Sequence, residues 1–267
     1  MQRRHFSWFS GLTMLAPLAA WSMPAERIGV LMLHGKSPGS NLSPSFTPMK
    51  GTLEREGWLV TFPDMPWSRT RYLNGHWDQA MIEIGTQVQS LQRQGATRIV
   101  LMGHSMGVSA AMSYAARGGT VHALVLLAPG HMPRHYYAIT EPRFKPVRDS
   151  IDQARTFVTT GKGAESQRFS DLSSPLVATP KNFLSYFDPD SDADMSVTAP
   201  RIPANVPVLT AIGEGDPLFQ SARHYYADKL PANPHTQFLE VKGGHLDTPR
   251  VASDQIVAWI KKVFAEQ

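Results

Sequence analysis

Along most of the chain, runs of apolar residues alternate with longer stretches in which apolar residues recur at helical spacing. The runs 27–33, 58–62, 98–103, 121–128, 206–212 and 236–241 read as strands, most of them apolar at consecutive rather than alternate positions. Between and after them, residues 46–57, 77–94, 106–117, about 220–230 and 249–266 read as helices. The last of these carries Val251, Ile256, Val257, Ile260 and Val263 or Phe264 on one side. A strand that is apolar on both faces is covered on both faces, so the pattern predicts an α/β fold with a mostly parallel sheet of about six strands and helices on either side. The interval 131–203 breaks the rhythm with prolines, charges and short helical pieces such as 149–159. It reads as a helical lid inserted between two strands and packed over the sheet's C-terminal edge, because the sheet pattern resumes at Val206.

The most informative stretch is 98–118. An apolar run ends at Gly103-His104-Ser105-Met106-Gly107, and an Ala-, Ser- and Met-rich helical pattern follows. That is strand, sharp turn and helix with a serine at the apex. A hydroxyl is a poor nucleophile unless a tight turn presents it beside a base, and flanking glycines let the helix close on the strand. The N–H of Met106 then points from the helix start toward a developing oxyanion. Gly35-Lys36-Ser37-Pro38-Gly39 matches the same spacing. It is rejected because Pro38 has no N–H to donate and the residues after it read as loop.

Such a serine needs a base, and the base needs an orienting carboxylate. His245 follows the last strand in a glycine-flanked loop, Gly243-Gly244-His245, and Asp216 follows the preceding strand in Gly213-Glu214-Gly215-Asp216-Pro217. Both stand on the sheet edge where ligands bind in open α/β folds. Glu214 and the lid carboxylates Asp188, Asp190 and Asp192 remain rivals of Asp216. His34 reads as a loop brace, and the His104 ring as turned into the structure.

The chain of 267 residues is 42% hydrophobic and 18% charged, ample for a large core, and its formal net charge of +4 is too small and scattered for nucleic acid. Zero cysteines exclude a thiolate nucleophile, disulfides and Cys-ligated metal. Residues 1–22, with Arg3-Arg4 before an apolar stretch and Ala20-Trp21-Ser22 at its end, read as a signal peptide, and Arg3-Arg4-His5-Phe6 resembles a twin-arginine export signal. Residues 23–267 are then the mature domain. The stretch 6–21 contains Pro17 and is short for a membrane span, so a periplasmic or secreted bacterial protein with no stable span in its mature form is expected.

Other motifs fail on inspection. Gly213-x-Gly215 lacks the third glycine of a dinucleotide loop, and Val30 stands where a phosphate loop needs its first. His131 and His135 have zinc-like spacing, but Pro133 lies between them and no Glu follows His131. No cofactor or metal is expected.

Taken together, the elbow at Ser105, the order Ser105, Asp216, His245, the strand-end His34-Gly35 pair and the inserted lid resemble the α/β-hydrolase superfamily over residues 27–266. The nearest branches are lipases, esterases and serine-aminopeptidase-like members with a Gly-His-Ser-Met-Gly elbow. The resemblance implies that the residue after His-Gly, here Lys36, gives a second oxyanion N–H beside that of Met106. It also implies a serine hydrolase acting on a small-molecule acyl substrate: carboxylic esters first, then thioesters or small amides. A periplasmic peptidase of the same fold and a catalytically silent binding protein are the alternatives. Family members often begin with an antiparallel hairpin, whereas this chain enters directly on the strand at Ile28.

Overall fold

The computed structural model describes residues 26–36, 43–172 and 174–266. The expected leader, 1–22, and residues 37–39 of the rejected motif lie outside them. Eighteen elements follow in chain order: β1 (Ile28–Leu33), α1 (Thr47–Arg55), β2 (Leu59–Thr61), α2 (Trp77–Arg93), β3 (Arg98–Ser105), α3 (Met106–Ala116), β4 (Ala123–Pro129), α4 (Pro133–Ala138), α5 (Lys145–Thr159), β5 (Gln167–Ser170), β6 (Pro175–Ala178), α6 (Pro180–Phe187), α7 (Met195–Thr198), β7 (Val208–Gly213), α8 (Ala222–Tyr225), β8 (Gln237–Val241), α9 (Thr248–Val251) and α10 (Ser253–Ala265).

Six strands form one sheet in the order β2-β1-β3-β4-β7-β8, every neighbouring pair parallel. From β1, the first strand among the described residues, the chain steps outward to β2 and returns to lay β3 on the other side of β1. That reversal is the switch point of an open α/β sheet, and it opens a crevice outside the carboxyl ends of β1 and β3. Both predicted positions at this crevice, His34-Gly35 and Ser105, stand there.

Each central strand is buried on both faces, as its unbroken apolar run requires. Leu31, Leu33, Leu101, Leu124 and Leu126 pack under α2 and α3 and the residues between β4 and β7. Val30, Met32, Val100, Met102 and Val125 pack under α1 and α10, against Leu53, Ile256 and Ile260. The half-buried edge strand β2 has three residues, which limits the backbone offered to another chain.

Three local departures have tertiary causes. The helix expected over about 220–230 stops after one turn, because Tyr226 takes φ −141° and drops its ring into the core, where its hydroxyl meets Thr210 Oγ1 at 3.2 Å. The helix expected over 249–266 is two, α9 and α10. Its axis turns at Ala252, whose ψ of −2° departs from the helical value of about −42°, and Ile256 and Ile260 bury against the sheet. Between α5 and α6 the chain forms an antiparallel hairpin, β5 with β6, where helical pieces alone were expected. Only Phe169 and Ala178 of its eight residues are buried, so no apolar alternation marks it. Among the described residues no helix is long and apolar enough to cross a membrane.

Candidate active site

Ser105 joins β3 to α3 with φ 56° and ψ −119°. For a residue with a Cβ this left-handed conformation costs on the order of 1–3 kcal/mol, and the surroundings hold it there. A Cβ on Gly103 would stand 2.3 Å from the Gly107 carbonyl oxygen, and one on Gly107 would stand 2.1 Å from that of Leu33. The turn therefore closes only with glycine at both positions. The Ser105 side chain does not cap α3, and among the described residues its hydroxyl has no hydrogen-bond partner.

Bare backbone walls flank that hydroxyl. A Cβ on Gly35 would lie 3.4 Å from Ser105 Oγ, and a Cβ on Gly130 would lie 2.4 Å from it. In the sequence Gly130 carries no signal beyond following the apolar run 121–128. Its importance comes from β4 lying next to β3, a neighbourhood that sequence spacing does not encode.

The loops after β7 and β8 are stapled side by side. Glu214 N–H donates to the Val241 carbonyl and Gly215 N–H to that of Gly243, each at 2.8 Å. A Cβ on Gly213 would stand 2.4 Å from the same Gly243 oxygen. This contact sets His245 Nδ1 2.7 Å from Asp216 Oδ2. The Asp216 side chain is fully buried, the His245 ring partly exposed, and Asp216 Oδ1 accepts the Leu218 N–H at 2.8 Å. A carboxylate accepting at Nδ1 leaves Nε2 as the imidazole's free, basic nitrogen. The rival carboxylates are engaged elsewhere: Glu214 with Lys242 at 2.6 Å, Asp188 with Arg155 at 3.0 Å, Asp190 with Arg134 at 2.8 Å and Asp192 with Arg117 at 2.9 Å.

Two neighbouring histidines act as braces. Burial first, and then the nearby His245 ring, push His104 down to about 4, so it is neutral at pH 7 and its Nε2–H donates to the His245 carbonyl at 3.1 Å. His34 is also lowered by burial. Its Nε2 accepts the Met65 N–H at 3.0 Å, which assigns the proton to Nδ1, facing the Gly35 carbonyl at 2.6 Å. Of the zinc-like pair, His131 faces the Tyr186 carbonyl at 2.8 Å, while His135 packs edge-on against Phe144 and Tyr225.

Three cavities meet at this crevice. One of 450 Å³ is lined by Ser105, His245, Gly35 and Lys36; it is the space that Ser105 and His245 share. A second, of 160 Å³, carries Ser105, Met106, Lys36 and Gly130. The third, of 460 Å³, carries His245, Asp216 and Gly130. Both residues expected to offer oxyanion N–H groups thus face the second cavity. The Lys36 side chain pairs with Asp171, 4.8 Å over the Tyr72 ring, and the Tyr72 hydroxyl donates to the same carboxylate at 3.0 Å. Asp171 escaped the sequence reading because it sits 135 residues from Lys36 in an unpredicted turn. Arg71, Arg134 and Lys145 hold ion pairs with Glu83, Asp190 and Asp149. Among the aromatics, Trp67, Trp77, Phe183 and Tyr186 are core, whereas Tyr72, Tyr136 and Phe187 reach the 160 Å³ cavity.

A profile of the alpha/beta hydrolase family matches residues 30–258. No curated protein matches the chain in sequence. Among solved structures, the monoacylglycerol lipase of Paleococcus ferrophilus superposes with a TM-score of 0.61 at 20% identity, covering 90% of this chain and 95% of that one. Est1E of Butyrivibrio proteoclasticus, with ferulic acid bound, gives 0.59 at 16% over 91% and 90%. A thermostable carboxyl esterase of Bacillus coagulans, in complex with glycerol, gives 0.59 at 14% over 89% and 90%. At such identities the likeness establishes a shared fold.

Proposed function

The chain belongs to the alpha/beta hydrolase family, and on that premise we propose that it is a serine hydrolase cleaving carboxylic esters through an acyl-enzyme on Ser105. The observation that carries this reading is the buried Asp216 carboxylate 2.7 Å from His245 Nδ1, with the ring on the cavity that the strained Ser105 also lines. Ser105 Oγ attacks the ester carbonyl carbon while its proton passes to His245 Nε2. Asp216 holds the tautomer and stabilises the imidazolium, and the N–H groups of Met106 and Lys36 take the charge on the carbonyl oxygen. The C–O bond to the alcohol then breaks as His245 returns the proton to the departing oxygen. Water, deprotonated by His245, releases the acid and restores the hydroxyl. That the Ser105 hydroxyl has no hydrogen-bond partner among the described residues is compatible with this sequence, since catalytic hydrogen bonds commonly tighten only around substrate.

The residues between β4 and β7 serve as the lid in this reading, and export through a leader at 1–22 belongs to the same proposal. N-terminal sequencing of the secreted protein tests the export step, with mature chain expected to start at Met23. For the chemistry, the protein is treated with a fluorophosphonate and digested for mass spectrometry. One adduct on Ser105, absent from Ser105→Ala, is expected; folded protein that takes no label at Ser105 overturns the proposal.

A further inference from the structure

We propose that the substrates are esters of a short acyl group with a larger, apolar alcohol, an inference that rests on the serine-hydrolase reading above. The assignment of sides follows from which groups line which cavity. In the tetrahedral intermediate the carbonyl oxygen points at the oxyanion N–H groups, and the departing oxygen must stand against His245 to receive its proton. The acyl chain therefore extends into space that contains Ser105 and both oxyanion residues and lacks the imidazole. The 160 Å³ cavity has that composition, with Ser105, Met106 and Lys36 on its wall and His245 absent. The leaving alcohol extends from the His245 side. The 460 Å³ cavity has that composition, with His245 and Asp216 at one end and Met132, Phe144 and Leu218 along its wall. The remaining 450 Å³ cavity holds Ser105 and His245 between the exposed Pro44 and Leu246, the place of the scissile bond and its entrance.

Size and polarity then limit the acyl chain. The smaller cavity, of 160 Å³, has about a third of the volume of the 460 Å³ cavity, so it takes the smaller of the two substituents. The wall of the smaller cavity includes the Lys36–Asp171 ion pair with the Tyr72 hydroxyl. The Asp171 side chain is almost fully buried. A longer hydrocarbon chain cannot displace it without stranding a buried charge. Leu172, next in sequence, lines both the small and the large cavity, as do Gly130 and Tyr136, and these three form the partition between them.

Purified protein is assayed against p-nitrophenyl esters from acetate to decanoate, and against ethyl and benzyl acetate, whose leaving alcohols are similarly basic. The expected kcat/KM is highest between acetate and butyrate and at least tenfold lower for octanoate, with benzyl acetate at least tenfold above ethyl acetate. Labelling rates with p-nitrophenyl methylphosphonate and octylphosphonate read the acyl side without turnover, and methyl is expected to react faster. Leu172→Ala opens the partition and is expected to raise the octanoate-to-butyrate ratio at least fivefold. Octanoate or octylphosphonate reacting as fast as its short counterpart overturns the acyl assignment, and ethyl acetate matching benzyl acetate overturns the alcohol assignment. Failure of any phosphonate to label Ser105 is a different result: it removes the serine reading itself.

Discussion

Gly130→Ala adds a single methyl group at the place where the structure is least tolerant of one. The new Cβ would stand 2.4 Å from Ser105 Oγ, 3.2 Å from its Cα and 3.3 Å from its Cβ. Ordinary contact begins near 3.5 Å, so the hydroxyl or the wall must retreat by about 1 Å. The backbone offers no objection, since Gly130 has no positive φ, and Oγ can leave by rotating about χ1. Such a rotation costs the fold about 0.5–1.5 kcal/mol. For a domain of this size that lowers Tm by roughly 1–6 °C. Reactivity suffers more, because a reacting atom displaced by about 1 Å loses on the order of 10²-fold in rate, or about 2.7 kcal/mol. The assay measures kcat/KM on a short ester, the rate of fluorophosphonate labelling and Tm on one preparation. Adding Ser105→Ala to Gly130→Ala removes the atom that the methyl strikes, so the double variant is expected to melt above Gly130→Ala, a non-additivity confined to touching residues. A Gly130→Ala protein with wild-type labelling and turnover would refute the reasoning, because it would mean that the reactive hydroxyl does not stand in the slot between Gly35 and Gly130.

Further outcomes follow from the same geometry. Asp216→Asn replaces the acceptor at His245 Nδ1 with an amide of nearly equal shape; kcat is expected to fall about 10⁴-fold with Tm within a few degrees, and a loss under tenfold would remove Asp216 from the mechanism. Burial lowers both His104 and His131 from 6.5 to about 4, so between those values the unfolded chain binds the more protons. Stability is therefore full above about pH 6.5 and declines as pH falls toward 4, by about 2 kcal/mol per ring at pH 5. Melting curves from pH 8 to 4.5 test this, with a shallower acid-side decline expected in His131→Gln; a flat profile in the unsubstituted protein contradicts it. Asp194, fully buried, accepts the N–H groups of Arg134 and Ser196, each at 2.8 Å, and the Tyr225 hydroxyl. Asp194→Ala strands these donors and is expected to cost about 3 kcal/mol, or roughly 6–12 °C in Tm; calorimetry showing less than 2 °C would count against that network.

What could be read directly from residue order is what local sterics and strand periodicity govern. Consecutive apolar positions require a strand covered on both faces, and four such runs place the sheet's interior strands to within about two residues. The elbow is legible because its requirement lies within five residues: Gly103 and Gly107 are the glycines whose Cβ atoms the turn excludes. Glycine-rich loops after the last two strands marked His245 and Asp216, and the structure joins that pair at 2.7 Å. Long-range neighbours required the fold itself. No local signal says that β4 lies against β3, which puts Gly130 against the Ser105 hydroxyl, or that a turn after β5 carries Asp171 to Lys36. The sizes of the spaces on the two sides of Ser105 were likewise decided by tertiary packing. Volume between elements depends on strand order and on the seating of the β4–β7 segment, whereas hydrophobic period reports only which face of each element is buried.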